Sequence, residues 1–168
     1  MRILTLKQLT AAEACEEQVE LFTQHFSKSV EVTEGLAESL ACLFDFDWAG
    51  RHLLTGPSGD EYYRVLASAD AECRKMSKFA DAEYSKVCVD ARTEYDKVCE
   101  PSWAVHEQPS GPVWDKYSKE CRTACAEYDD TLAAAAADRW KVRGEAWGGY
   151  SKVSAVTFAR LYIRDGHE

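Results

Sequence analysis

The sequence predicts an all-α protein: a small N-terminal helical head, a long antiparallel two-helix hairpin with eleven-residue packing, and a short C-terminal helix. Two observations carry this prediction. Glu61-Tyr62, Glu72-Cys73, Glu83-Tyr84 and Glu94-Tyr95 are equally spaced, and Glu83 to Val89 (EYSKVCV) is nearly rewritten as Glu94 to Glu100 (EYDKVCE). A repeat of this kind decides the fold before any single element does. The composition agrees, because strand formers are few while Ala, Glu and Lys are plentiful. The ring slot stays in phase through His106, Tyr117 and Tyr128, and Pro57, Pro101 and Pro112 fall in a second slot of the same period.

The head, residues 1–56, reads as short helices. Thr10 with Glu13 has the form of a capping box, opening a helix to about Phe26 with Ala11, Cys15, Val19, Phe22 and Phe26 at helical spacing. Ser27-Lys28-Ser29 breaks it, and Val30 and Val32 form an extended link. Thr33 is a candidate cap for a helix over Glu34 to Phe44 that buries Leu36, Leu40 and Leu43. Asp45 or Asp47 then caps a third helix, with Trp48, Leu53 and Leu54. Thr55-Gly56-Pro57-Ser58-Gly59 is the densest turn signal in the chain.

Residues 57–147 form the repeat hairpin. Ser58 with Glu61 offers a further capping box. Slots 0, +3, +4 and +7 of each unit are apolar, as in Tyr84, Val87, Cys88 and Ala91. Eleven residues overshoot three helical turns by only about 20°, so the stripe keeps to one face. Glu61–Arg64, Glu72–Lys75, Glu83–Lys86 and Glu94–Lys97 are acid-first i, i+3 pairs, each adding about 0.2–0.5 kcal/mol. Pro101, Pro109, Gly111 and Pro112 place a break at about 100–112, between helices over 59–99 and 112–146. The second stripe is Tyr117, Cys121, Ala124, Tyr128, Thr131, Leu132 and Ala135. Gly148-Gly149 ends that helix, and residues 148–168 supply a short final helix and tail. The first long helix, about 60 Å at 1.5 Å per residue, needs its apolar stripe covered. The second helix folded back is the simplest cover, and a second copy of the chain is the alternative.

The charge and the motifs exclude several functions. The net charge is −9, of which residues 1–56 carry −5. Such a field repels phosphate backbones, so direct nucleic-acid binding is not expected. No apolar run approaches the roughly 20 residues of a membrane span, and MRILTLKQLT lacks the pattern of a signal peptide. Neither phosphate-binding glycine loops nor the usual hydrolase motifs are present, and no catalytic residue is assigned. Cys88, Cys99, Cys121 and Cys125, with His106 near the bend, are the candidate metal set. Cys-x₃-Cys inside a helix departs from the geometry of structural zinc sites, and all but Cys125 fill apolar slots, so packing is expected and neither metal nor cofactor. His52, close to Trp48, is the best-placed histidine for chemistry, and it is expected at a helix surface.

The acidic clusters remain as binding candidates. Glu13, Glu16, Glu17 and Glu20 form one patch, and Glu127, Asp129 and Asp130 form another. Asp45, Asp47 and Trp48 form a third candidate, and Trp48, Trp103 and Trp114 are expected to be exposed. Rows of carboxylates on helices can imitate a phosphate backbone.

Leu4-Thr5-Leu6-Lys7-Gln8, Ala14 to Phe22, Phe46-Asp47-Trp48-Ala49 and Arg51-His52-Leu53-Leu54 resemble the head of a group of small phage and prophage proteins. In that group the head is followed by eleven-residue A-x-A-E-Y-x-x-V units. Ala82-Glu83-Tyr84-Ser85-Lys86-Val87 matches the unit, Pro101-Ser102-Trp103-Ala104 looks like a joint, and Phe158-Ala159-Arg160-Leu161-Tyr162 fits the tail. The Cys-rich slots and the degenerate second block depart from the pattern. The resemblance covers most of the chain and implies an origin rather than a chemistry. It implies a non-enzymatic interaction module in the cytoplasm of a bacterial host, binding a host or phage protein, with an inhibitor of a defence effector (anti-CRISPR or another kind) as its sharpest form. A structural spacer that forms homo-oligomers in a phage assembly is the alternative, followed by a Cys/His metal-binding protein.

Overall fold

The computed structural model describes residues 2–103 and 111–166, the side chains of 101–103 and 112–113 excepted. The order is β1 (Arg2–Thr5), α1 (Leu6–Ala11), α2 (Glu16–Phe26), β2 (Ser29–Val32), α3 (Glu34–Ser39), α4 (Phe46–Leu53), α5 (Pro57–Trp103) and α6 (Gly111–Asp165). The fold is all-α, with one small two-stranded sheet. The chain divides into two compact units, Met1–Arg74 with Glu145–Glu168, and Lys75–Gly144.

In the first unit β1 and β2 pair antiparallel, Arg2 opposite Val32 and Thr5 opposite Ser29. The extended link expected at Val30 and Val32 is therefore one strand of a sheet, and its partner went unpredicted because four residues are too few to show alternation. The first helix starts earlier than expected, which moves the capping box. Thr5 caps α1, accepting from the Gln8 amide at 3.3 Å, while its own amide donates to Gln8 Oε1 at 2.8 Å. Thr10 lies inside α1 and its hydroxyl donates to Leu6 O. Glu13 sits after the helix, with a left-handed φ of 59°. α2 begins at Glu16 with no side-chain cap from Cys15.

Two other caps are where the sequence puts them. Thr33 Oγ1 accepts from the Leu36 amide at 3.1 Å, and Asp45 Oδ1 accepts from the Trp48 amide at 2.8 Å. The helix after Thr33 is shorter than expected, stopping at Ser39 and continuing as tight turns to Phe44. This leaves Leu43 exposed and gives the core Ala37 and Ala41 in its place. Pro57 occupies the first position of α5, where its missing amide hydrogen costs nothing. Ser58 is not a capping-box residue: it is buried, and its hydroxyl donates to Asp165 Oδ1.

The core of this unit joins both ends of the chain. Leu4, Leu9, Phe22, Val32, Leu54 and Tyr62 pack with Ala155, Phe158, Leu161 and Tyr162 of α6. Arg2 fastens the strand to α6, donating to Tyr162 O at 2.7 Å with its guanidinium 3.8 Å above the Tyr162 ring. Glu34 pairs with Arg160 at 3.0 Å, and Glu61 turns from Arg64 to Arg164 at 2.8 Å. α6 runs without interruption through Gly148-Gly149, correcting the expected stop and the separate final helix. Each glycine costs a helix about 1 kcal/mol, and the buried Ala146, Ser154 and Ala155 on either side hold the helix against that cost.

In the second unit α5 and α6 pack antiparallel. Ala80, Cys99 and Ala124 are buried and Tyr84, Tyr95 and Tyr128 are half-buried, as the stripes predict, whereas Thr131 is exposed. The Tyr95 and Tyr128 rings lie 5.6 Å apart across the pair. Arg139 Nε donates to Asp81 Oδ1 at 2.6 Å and Arg143 Nη1 approaches the same oxygen at 3.4 Å. The Arg139 hydrogen bond holds the Asp81 carboxyl below the ordinary carboxylate range. Its stabilising effect is present above that range and fades as pH falls through the lowered native value. Arg139→Ala should let Asp81 titrate nearer the ordinary range, as followed by NMR of its carboxyl carbon; an unchanged titration would show that the pair does not form. The expected i, i+3 pair Glu94–Lys97 closes at 2.5 Å, and Arg92–Asp96 adds an i, i+4 pair at 3.0 Å.

Candidate functional site

The acidic row on α2 is displayed by the packing of the helix's other face. Phe22 is buried, its ring 5.2 Å from that of Phe26, which stacks on Phe44 at 5.9 Å. That contact fixes which side faces outward. Glu16, Glu17 and Glu20 on α2, and Glu13 in the turn before it rather than on the same helix, are all exposed, and among the described residues none of them makes an ion pair. Glu16 and Glu17 lie in the first turn, where the helix dipole favours acids. Glu16 and Glu20, four apart, work against the helix by about 0.2–0.5 kcal/mol.

The second acidic cluster is less isolated. Glu127, Asp129 and Asp130 are exposed, but Glu127 lines a groove with Lys116 and Lys119. Lys116 pairs with Glu120 at 3.9 Å.

Asp45 and Asp47 have separate roles and do not form an acid pair. Asp45 is a helix cap whose own amide donates to Gln18 Oε1 of α2 at 3.0 Å. Asp47 sits at the centre of a cluster of hydroxyls. Its Oδ2 accepts from Tyr150 at 2.5 Å, and its Oδ1 accepts from Ser154 at 2.7 Å and lies 3.4 Å from the Tyr62 hydroxyl. The Tyr62 hydroxyl also lies 2.7 Å from Phe46 O and 2.8 Å from Ser154 Oγ. The protons of Tyr62 and Ser154 are thus shared among three short contacts. Burial pushes the Tyr62 and Tyr150 hydroxyls well above the ordinary tyrosine value, and Asp47 reinforces the shift at both. The nearby Glu34 and Glu38 face basic partners, Arg160 at 3.0 Å and Lys152 at 3.7 Å.

Beside Asp47 opens a cleft of about 410 Å³, lined by Gln18, the turns from Ala41 to Phe44, Asp45 to Asp47, and Trp147, Tyr150, Ser151 and Ser154. Trp147 is 61% exposed and stacks on Tyr150 with ring centroids 5.4 Å apart. Trp147, Tyr150, Ser154 and Gln18 carry no joint signal in the sequence, because they come together only through folding. The one local signal was an aromatic pair three residues apart on a helix.

Trp48 is half-buried against the core and stacks on His52 at 5.0 Å, so it belongs to packing as much as to the surface. Trp114 is exposed, 5.6 Å from the Tyr117 ring. The Trp103 side chain and His106 lie outside the described residues. Ser154 is buried, and its hydroxyl donates to Asp47 Oδ1 at 2.7 Å. Every Cys is a free thiol, and burial pushes the Cys99 thiol up beside Cys121. Among the described residues no group of His, Cys, Asp and Glu is arranged to hold a metal ion, and no helix is long and apolar enough to cross a membrane. No family model matches the chain, and no curated protein or solved structure matches it.

Proposed function

We propose that the chain is a non-enzymatic interaction module of phage origin that binds a host protein through acidic helical surfaces, acting as an inhibitor of a defence effector. One observation carries this reading: the α2 glutamates stand exposed and, among the described residues, without ion pairs on a helix whose opposite face is buried. Carboxylates arranged this way meet a basic partner with fast, salt-sensitive association. The channels of nucleic-acid-guided effectors are lined with Lys and Arg, and an acidic row would occupy them as a phosphate backbone does.

The test uses the full chain and a variant with Glu13, Glu16, Glu17 and Glu20 all changed to Gln. Both are measured against a panel of purified effectors from the host, alongside retention of host proteins from lysate at low salt. Wild type should bind one effector with affinity that falls as salt rises, and the variant should lose about tenfold or more with its circular dichroism unchanged. Equal binding by the variant would remove the acidic surface from the reading. Binding to no effector would remove the inhibitor.

A further inference from the structure

The cleft beside Asp47 has a chemistry of its own. No Lys, Arg or His lines it, while Asp45 and Asp47 both do. Asp47 is held in place by the Tyr150 and Ser154 hydroxyls, at 2.5 and 2.7 Å, which are neutral donors. On its other side Asp47 lines a depression shared with Arg51 and Arg74, but Arg74 is paired to Asp70 at 2.8 Å, and among the described residues neither arginine pairs with Asp47. Among the described residues, therefore, no cation forms an ion pair with this carboxylate. Trp147 and Tyr150 line the same cleft, stacked with their planes 29° apart, and Trp147 is largely exposed. Carboxylates lining a cleft with a stacked aromatic pair suit a flat cation. A guanidinium stacks on indole and phenol faces and bonds carboxylates through a planar fork, whereas an ammonium is a strongly hydrated point charge without a stacking face.

We infer that this cleft receives an arginine side chain of the partner protein, its guanidinium against Trp147 and Tyr150 and directed at Asp47. The inference rests on the interaction reading above and names the chemistry of the partner residue.

The probes are three blocked peptides, acetyl-Gly-X-Gly-amide, in which X is arginine, citrulline or lysine. Citrulline keeps the shape of arginine and removes its charge; lysine keeps the charge and removes the plane. Binding is followed through the indole and backbone N–H resonances of the labelled protein, with Trp147→Ala identifying the Trp147 indole signal and the Tyr150 and Ser151 backbone amides, present in both proteins, reporting binding by the variant. Because Trp147 is exposed, its removal leaves the core intact, and the thermal midpoint of the variant checks this. The arginine peptide should shift the Trp147 resonance saturably, the other two should bind at least about tenfold more weakly, and Trp147→Ala should lose binding to the same degree. An unmoved Trp147 resonance at millimolar peptide, equal binding of citrulline or lysine, or full binding by Trp147→Ala would each overturn the inference. If the peptide fails while an effector still binds wild type and releases the glutamate variant, the arginine cleft falls and the acidic-surface reading stands. Peptide binding that persists when no effector is bound has the opposite meaning.

Discussion

Tyr62→Ala should unfold the first unit or bring it to the edge of unfolding. Tyr62 is fully buried, and truncating a buried aromatic to Ala costs about 3–5 kcal/mol. Its hydroxyl is within 2.7 to 2.8 Å of both Phe46 O and Ser154 Oγ, so removal also strands buried polar groups, at about 1–3 kcal/mol. A small domain has only about 5–15 kcal/mol to lose. Urea denaturation followed by far-ultraviolet circular dichroism measures the effect; a cost below about 1 kcal/mol would mean that Tyr62 is not the centre of this core. Tyr62→Phe separates ring from hydroxyl and should cost only the polar part. It should also flatten an alkaline limb. Above the ordinary tyrosine value of about 10, the unfolded chain releases a proton that native Tyr62 keeps. Wild-type stability therefore falls as pH rises, by up to about 1.4 kcal/mol per pH unit for this group, and the Phe variant loses that slope.

Gly50→Ala is the second large effect. On most helices this exchange gains about 1 kcal/mol. Here a Cβ would stand 2.2 Å from Tyr62 Cε1 and 2.4 Å from Cζ. The ring has no room to retreat, since its hydroxyl is bonded on two sides. Overpacking of this kind costs about 1–3 kcal/mol and sometimes more. Gly148→Ala and Gly149→Ala are the matched controls, because nothing lies within 4 Å of either new Cβ. These should leave stability unchanged or raise it. Gly50→Ala at wild-type stability would show that α4 and Tyr62 are farther apart than described.

The all-helical class was legible because the apolar stripe of α5 repeats with a period that a helix, and not a strand, keeps on one face. Thr33 and Asp45 were legible because capping is a contact between residues three apart. The failures occur where long-range contacts overrule local preference. Gly148-Gly149 reads as a stop in isolation, but α6 is packed before and after it. Thr10 reads as a cap, but the pairing of β1 with β2 starts α1 at Leu6. Asp47 looked like a second cap, and only the return of α6 beside α4 brings Tyr150 and Ser154 to its oxygens. The exposure of the α2 glutamates was legible because amphipathic spacing marks the outward face. The Trp147 cleft was not found, since its walls come from α2, the turns after α3, and α6.

The first unit draws its core from both ends of the chain, with Phe158, Leu161 and Tyr162 packed against residues of the first 66. Translation therefore delivers its two parts at different times. The 70 residues of Lys75–Gly144 pass between them, about 4–14 s at ordinary elongation rates of about 5–20 residues per second. During that interval the nascent head carries Phe22, Tyr62 and their neighbours without the partners that cover them. A ribosome stalled before the codon for Ala155 should hold a greasy, protease-sensitive stub, because the side chains that cover Phe22 and Tyr62 have not yet been made.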